Sequence, residues 1–453
     1  MLKFMIVGGG GRESAFALNL AQNSVVCAVM DHPNPTIINC AKRTGGEYLV
    51  APSSDPETLL DFARKTRPDY VFVNADAPLA NGAVDALLEN NFKTIGGTKE
   101  ASRIEWDKIY SIELVGKTCP EFTPFYRVAR RPEELDGILA EFGERRMGVA
   151  VKPQGLTGGK GVKVMPQHLA SYAECRDYAA KLLRANPGES VLLAEKLEGA
   201  EFTVMGFTDG EHLAPAPATY DYPFRYDGDT GPGTGGMGCF TAPEKKLPFM
   251  DEQDWRDCIA VMQRVVDEMK ARGHRFSGVL NGGFFKTAQG IRFMEFNGRF
   301  GDPEALNILM VLERPLSELL ASIWNKTLRE DNVRFTGKAS VVKYLTSPEY
   351  PLSGGKSAPF AVAEEAVRAL GINIFCASCA QNGGEYETLN KPSRVIALGC
   401  VADKIETAAA QIDRAIENHI TGGLEYRKDI GAKHYLESLI TRFGNKTNNN
   451  PAR

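Results

Sequence analysis

Short apolar, β-rich runs and helically periodic stretches alternate over the first hundred positions. The runs fall at Lys3–Val7, Val25–Met30, Tyr70–Val73 and Thr94–Ile95, with helical patterns at 13–22, 56–65 and 82–90 between them. Alternation of this kind predicts a parallel α/β sheet. A further helical stretch, 99–115, leads into a turn around Pro120 and Pro124. The texture then changes. Two β-rich runs, 148–153 and 161–165, flank QGLTGGK and predict a hairpin with a glycine tip. Strands are expected at 191–195, 201–207 and 212–218, then a helix at 252–272 and strands at 278–286 and 291–297. Helices at 303–313 and 317–326 are expected behind them. A third unit begins near Gly337, with strands around 339–345, 372–379 and 394–401 and a helix at 405–418. The polar tail GNKTNNNPAR predicts disorder.

Bulk composition narrows the classes. A chain of 453 residues exceeds one ordinary core. A net charge of −4 gives no basic footprint for nucleic acid. No apolar run approaches the roughly 18 residues of a membrane span. MLKFMIV runs straight into a glycine turn, without the apolar region of a signal peptide. Nine scattered cysteines suit reduced thiols and a cytoplasmic location. Cys376 and Cys379 form a CxxC, but the apolar setting INIFCASCA favours small buried residues over a redox or metal half-site. The six histidines are scattered, and no zinc pattern is present.

Four segments carry candidate chemistry. GGGGRES, residues 8–14, joins the first strand to the first helix, where backbone N–H groups and the helix dipole favour an anion. Asp31 adds a dinucleotide-like touch, yet Glu13 or Ser14 stands where GxGxxG needs its third glycine. A phosphate or sugar-phosphate site with Arg12 and Glu13 as contacts, or a structural turn, remains. QGLTGGKG, residues 154–161, fails the Walker spacing, because three residues separate Gly155 from Gly159 and Gly161 follows Lys160. A glycine-tipped hairpin can instead cover nucleotide phosphates beside Lys152, or it can be a plain solvated hairpin. In MEFNGRFGDPE, residues 294–304, Glu295 and Asn297 share one face of a strand and offer oxygens suited to Mg²⁺. Arg299 follows on that face with a fork that fits phosphate, and Asp302 and Glu304 extend the cluster. A surface salt-bridge set is the plainer alternative. Finally, YDYPFRYDGDTGPGTGGMG, residues 220–238, sets an acid, an arginine and aromatics before a glycine-dense loop that lets backbone approach a ligand.

Taken in order, GGGGRE, DAPL (76–79), VKPQGLTGGKGVKV, EKLEGAEFT, DGDTGPGTGGMG, EFNGRFGDPE and KDIG (428–431) resemble the ATP-grasp ligases of the glycinamide ribonucleotide synthetase family, in its archaeal-type branch. The resemblance spans residues 1 to about 433. It implies an ATP-grasp α/β fold, with an N-terminal parallel α/β substrate-binding domain at 1–103 and an ATP-grasp domain at 104–330. The hairpin-bearing lobe would cover about 120–196, with a C-terminal β-rich α+β domain at 331–435 and a disordered tail at 436–453. It further implies carboxylate–amine ligation through an acyl phosphate, with phosphoribosylamine and glycine as the family's amine and acid. Mg²⁺ (Mn²⁺ as the alternative ion) would bridge the ATP phosphates. By family position Lys108, Lys152, Gly158, Gly159 and Lys160 would hold those phosphates. Glu195, Lys196 and Leu197 would form the adenine hinge, and Glu201 would take the ribose. Glu295 and Asn297 would ligate the metal. Arg299, Lys152 and Asp221 would serve catalysis. Gly10, Gly11, Arg12, Glu13, Asp76, Asp221, Arg225, Gly235, Gly236, Arg299 and Asp302 would meet the substrates. A monomer or weak homodimer is expected.

The chain departs from the family pattern in places. GRESA carries Ser14 where histidine is usual, and NADAPL carries Asp76 for glutamate. Above all, the family's QDHKR is YDYPFR here, which keeps Asp221, removes two cations and leaves Arg225 one residue on. Three readings stand at this point: the family's own ligase with Arg225 in the lost role, a ligase for a different amine–acid pair, or a nucleotide-binding regulator without turnover.

Overall fold

The runs KFMIV, VVCAVM and YVFV are apolar at nearly every position, as strands covered on both faces require. The computed structural model describes residues 1–155 and 161–444. In it, β1 (Lys3–Val7), β2 (Val25–Met30), β3 (Tyr48–Val50), β4 (Tyr70–Val73) and β5 (Thr94–Ile95) form a parallel sheet in the order β3-β2-β1-β4-β5. Helix α1 (Gly11–Leu20) follows the first glycine run. Helix α2 (Pro35–Thr44) does not figure among the sequence expectations. Asn34 caps it by accepting the Ile37 N–H, Pro35 opens it, and Gly45 at φ 74° closes it. Asp55 and Pro56 open the expected helix Pro56–Thr66 with the same pair of signals. Pro33 and Pro35 together look like a turn, which hides the cap.

The expected helix at 99–115 is two helices, Arg103–Trp106 and Lys108–Thr118. The break is Asp107, whose extended backbone frees its carboxylate to accept the Ile109 and Tyr110 N–H groups. The same carboxylate accepts from Gln154 Nε2 at 3.1 Å, tying the new helix start to the hairpin base. That lobe is an antiparallel sheet of β6 (Tyr126–Ala129), β7 (Val149–Pro153), β8 (Lys163–Val164) and β9 (Val191–Glu195), in the order β6-β9-β7-β8. The expected hairpin is the β7–β8 pair, with Ala150 opposite Val164. Its tip, with Gly158, Gly159 and Lys160, lies outside the described residues.

The largest sheet runs through strands Gly290–Asn297, Ser277–Thr287, Ala200–Asp209, Thr219–Asp221, Gly238–Thr241, Ala339–Leu345, Ile396–Ala402 and Asn373–Cys376. Gly238–Thr241 pairs antiparallel with Ala339–Leu345, so hydrogen bonding crosses the boundary expected at 330/331. The expected strand at 372–379 splits into Asn373–Cys376 and Cys379–Asn382, which join different sheets. Cys376 and Cys379 are both buried in the core. Among the described residues no helix is long and apolar enough to cross a membrane.

Disorder expected from residue 436 is corrected by helix Lys433–Phe443. Leu436, Leu439 and Phe443 fall on one face and pack on the core, Phe443 against Phe249 and Tyr435 against Tyr222. Residues 445–453 of the expected tail lie outside the described residues. Leu439→Ala is expected to destabilise the fold by about 2–4 kcal/mol in denaturant unfolding; an unchanged midpoint would show that this helix contributes no packing.

Candidate active site

A cavity of about 420 Å³ gathers residues from every part of the chain. Lys108, first residue of its helix, and Lys152, on β7, line it. So do Glu295 and Asn297 from the end of strand Gly290–Asn297, where the core residues Phe293 and Phe296 form part of the cavity wall. Lys108 Nζ donates to the Gly155 carbonyl at 2.7 Å. Burial holds its pKa below the ordinary lysine value, against the pull of Glu295. Glu201 sits within the field of Glu295 and Lys152; burial, then Glu295, pushes its carboxyl up to about 7.

Arg299 is the hub. Its Nε donates to Asp76 Oδ1 at 2.7 Å and lies 3.1 Å from Glu105 Oε1, while Nη2 reaches Asn297 Oδ1 at 3.4 Å. Glu105 Oε2 accepts the Gly298 N–H, and the Phe300 carbonyl accepts from both Arg299 and Arg12. Burial opposes the charge of Arg299, yet Asp76 and Glu105 outweigh it and raise its pKa. Burial raises the Glu105 carboxyl to about 7, against the opposing pull of Arg299. Asp76 is held below its ordinary value: Arg299 and Arg12 outweigh the cost of burial. A strongly bound cation beside two acids of opposite tendency suits a site where phosphate charge arrives and leaves.

Arg12, Asp76, Gly235, Arg299 and Asp302 line the cavity as expected of substrate contacts. Others stand back. Glu13 is buried and caps its own helix: Oε2 accepts the Gly10 N–H and Oε1 pairs with Arg12. Its carboxylate thus satisfies the Gly10 N–H at this helix start. Gly11 lies under the Tyr344 hydroxyl. Glu195 ends β9, and Lys196 and Leu197 follow it, all outside this cavity's lining, while Asp221 lies behind Gly236. Burial, then Glu304 and Glu201, raises the Asp221 carboxyl well above its ordinary value.

Arg225 is a correction. It is 1% exposed and points into the C-terminal unit, donating to the Tyr350 carbonyl at 3.0 Å and to Glu425 at 2.6 Å. The rest of YDYPFR follows it. The Tyr222 hydroxyl accepts the Gly431 N–H, and Tyr435 donates to Asp229. The segment forms a hairpin, Phe224–Tyr226 with Thr230–Gly233, bolted to residues 425–435.

The sequence matches the family profile described as "Phosphoribosylglycinamide synthetase, N domain" over 2–105. The ATP-grasp (A) domain of the same synthetase matches over 107–305 and its C domain over 340–433. A phosphoribosylamine–glycine ligase of Pyrococcus furiosus is 37% identical over 97% of this chain and 97% of its own length. The chain belongs to the phosphoribosylglycinamide synthetase family. A family member of the same printed name from Methanocaldococcus jannaschii is 36% identical over 98% of this chain and 99% of its own. In fold, the phosphoribosylamine–glycine ligase of Thermotoga maritima superposes with a TM-score of 0.77 at 24% identity, covering 95% of this chain and all of that one. A Campylobacter jejuni biotin carboxylase with a β,γ-ATP ligand reaches 0.70 at 14% identity, over 96% and 95%.

Glu295 and Asn297 fit the Mg²⁺ of an ATP-grasp enzyme, because they present two hard oxygens beside Lys108 and Lys152. Among the described residues no three His, Cys, Asp or Glu side chains cluster to cage an ion. Two protein oxygens with phosphates and water completing the shell is how Mg²⁺ is usually held. Glu105 and Arg394 line the cavity as well, though no motif pointed to them. Their signals were faint: an acid inside the apolar helix start RIEW, and an arginine opening the apolar run RVIALGC.

Two outcomes follow from this geometry. Arg225→Ala is expected to lower the unfolding midpoint by leaving the Tyr350 carbonyl and Glu425 unpaired, at a cost of about 1–3 kcal/mol, with substrate KM values within about twofold. A raised KM without loss of stability would restore Arg225 to the site. Because Glu105 and Glu201 titrate near 7 when folded and near 4.5 when unfolded, the folded chain holds extra protons between those values. The contribution of these two carboxyls to the stability of the ligand-free chain is therefore full at the low end of this window and lost as pH rises through about 7. Glu201→Gln should flatten that slope in thermal melts; an identical slope would contradict the assignment.

Proposed function

We propose that the chain joins glycine to phosphoribosylamine at the expense of ATP, giving glycinamide ribonucleotide, ADP and phosphate, a step of purine biosynthesis. One observation carries this: a single cavity sets the Lys108, Lys152, Glu295 and Asn297 face against Arg12, Asp76, Arg299 and Asp302, in a chain whose full-length relatives bear that ligase's name. The glycine carboxylate takes the γ-phosphoryl group of ATP, forming glycyl phosphate and releasing ADP. The amine nitrogen then attacks the acyl carbon, loses a proton, and phosphate departs. Lys108 and Lys152 hold transferring phosphates, and Arg299 stabilises charge on the phosphoryl group as it moves. Glu295 and Asn297 would hold Mg²⁺, which would supply charge neutralisation at the phosphates; Mn²⁺ would suit the same oxygens. Asp221, behind Gly236, has its carboxyl raised by desolvation and then by Glu304 and Glu201, and is proposed to meet the glycine amine.

Glu195, Lys196 and Leu197 are proposed as the adenine hinge, with Glu201 for the ribose. A monomer or weak homodimer is proposed. Nine free cysteines support a cytoplasmic location. A different amine–acid pair is the second reading, favoured by YDYPFR, whose aromatic and arginine groups are locked into the C-terminal unit.

ADP release is expected only when phosphoribosylamine and glycine are both present. Turnover with another pair, and none with this one, would select the second reading. Glu295→Gln should cut kcat by about a hundredfold or more while the chain stays folded; retained activity would remove the metal assignment.

A further inference from the structure

Asp302 is held from the C-terminal unit. Tyr344, buried on strand Ala339–Leu345, donates its hydroxyl to Asp302 Oδ1 at 2.7 Å. Burial, then the Asp302 charge, raises the phenol well above its ordinary value, so it serves as a donor. Arg394 lies over the Tyr344 ring, 4.5 Å from its centre. One nitrogen, Nη1, donates to the carbonyls of Gly235 (2.5 Å), Gly236 (3.0 Å) and Asp302 (2.8 Å), and Nη2 stands 3.4 Å from Asp302 Oδ1.

These contacts converge on the first glycine run. A Cβ on Gly11 would stand 1.9 Å from the Tyr344 hydroxyl, so the loop and the phenol meet only because residue 11 is glycine. A Cβ on Gly10 would stand 3.9 Å from Asp302 Oδ2, the oxygen not engaged by Tyr344. A carboxylate with one oxygen saturated and the other turned to a ligand loop discriminates for hydroxyl and amine donors. Asp302 and Arg394 both line the cavity.

We infer that Tyr344 and Arg394 are positioning residues that aim Asp302 at the hydroxyl or amine groups of the sugar-phosphate amine, making the C-terminal unit part of that substrate's site. This rests on the ligase reading above. Tyr344 keeps its ring in Tyr344→Phe and so isolates the hydroxyl; Arg394→Lys is the second variant.

Two measurements test it: KM values for phosphoribosylamine, glycine and ATP in ADP release, and calorimetric affinity for ribose 5-phosphate, which needs no turnover. Both variants should raise KM for phosphoribosylamine and Kd for ribose 5-phosphate by roughly tenfold, with KM for ATP within about twofold. Equal rises for ATP, or no change in the two sugar-phosphate constants, would overturn the inference. Wild-type turnover with an unaffected Tyr344→Phe variant sinks this inference and keeps the ligase. Ribose 5-phosphate binding that Tyr344→Phe weakens, without wild-type turnover, sinks the ligase and keeps the positioning role. A chain that neither binds nor turns over sinks both.

Discussion

A partly buried guanidinium needs oxygen partners, and Arg299 finds them in three parts of the chain: Asp76 just past β4 of the N-terminal sheet, Glu105 on the connecting helix, and Asn297 at the end of the strand before it. Removing either acid would leave the partly buried guanidinium less well compensated, at a cost of about 1–3 kcal/mol. The arginine's position in turn decides which groups can share a cavity. It stands between the lysines and oxygens that suit ATP and Mg²⁺ and the loops that suit an amine and an acid. Asp76 and Glu105 do not share the charge equally. Arg299 and Arg12 keep Asp76 ionised, while Glu105 titrates near neutrality.

The C-terminal unit is held by backbone as well as side chains. Strand Ala339–Leu345 hydrogen-bonds to Gly238–Thr241, immediately after the glycine-dense loop, and so fixes Tyr344 and Arg394 beside Gly235 and Gly236. The aromatic segment before that loop works in the same direction. Tyr222, Arg225 and Asp229 all find partners between Tyr350 and Tyr435. Where the family pattern puts cations, this chain has built an internal joint. Arg12, Arg299 and Arg394 are the arginines at the cavity itself.

Periodicity made the parallel sheet legible, because β1, β2 and β4 are apolar at nearly every position and helical patterns alternate with them. The ordered glycine and acid motifs made the ATP-grasp ligase legible, and Glu295, Asn297, Arg299, Lys108 and Lys152 do share one cavity. What stayed hidden depends on contacts distant in sequence. Arg225 looks like a site cation beside a flexible loop, and only its pairing with Glu425, 200 positions on, makes it structural. Asp107 reads as mid-helix until Gln154 recruits its carboxylate as a cap. Glu105 and Arg394 sit in no motif, and folding alone brings them to the cavity. The helix at Lys433–Phe443 is short and marginal by itself, stabilised by Phe249 and Tyr222.

The central claim is that Arg299 joins the nucleotide face and the substrate face of one site. A crystal structure with Mg²⁺, a non-hydrolysable ATP analogue and glycine tests it most directly. The terminal phosphate is expected between Lys152 and the Arg299 guanidinium, with Mg²⁺ on Glu295 and Asn297 and glycine within reach of that phosphate. A nucleotide bound away from Arg299, or a metal on other residues, would contradict the account.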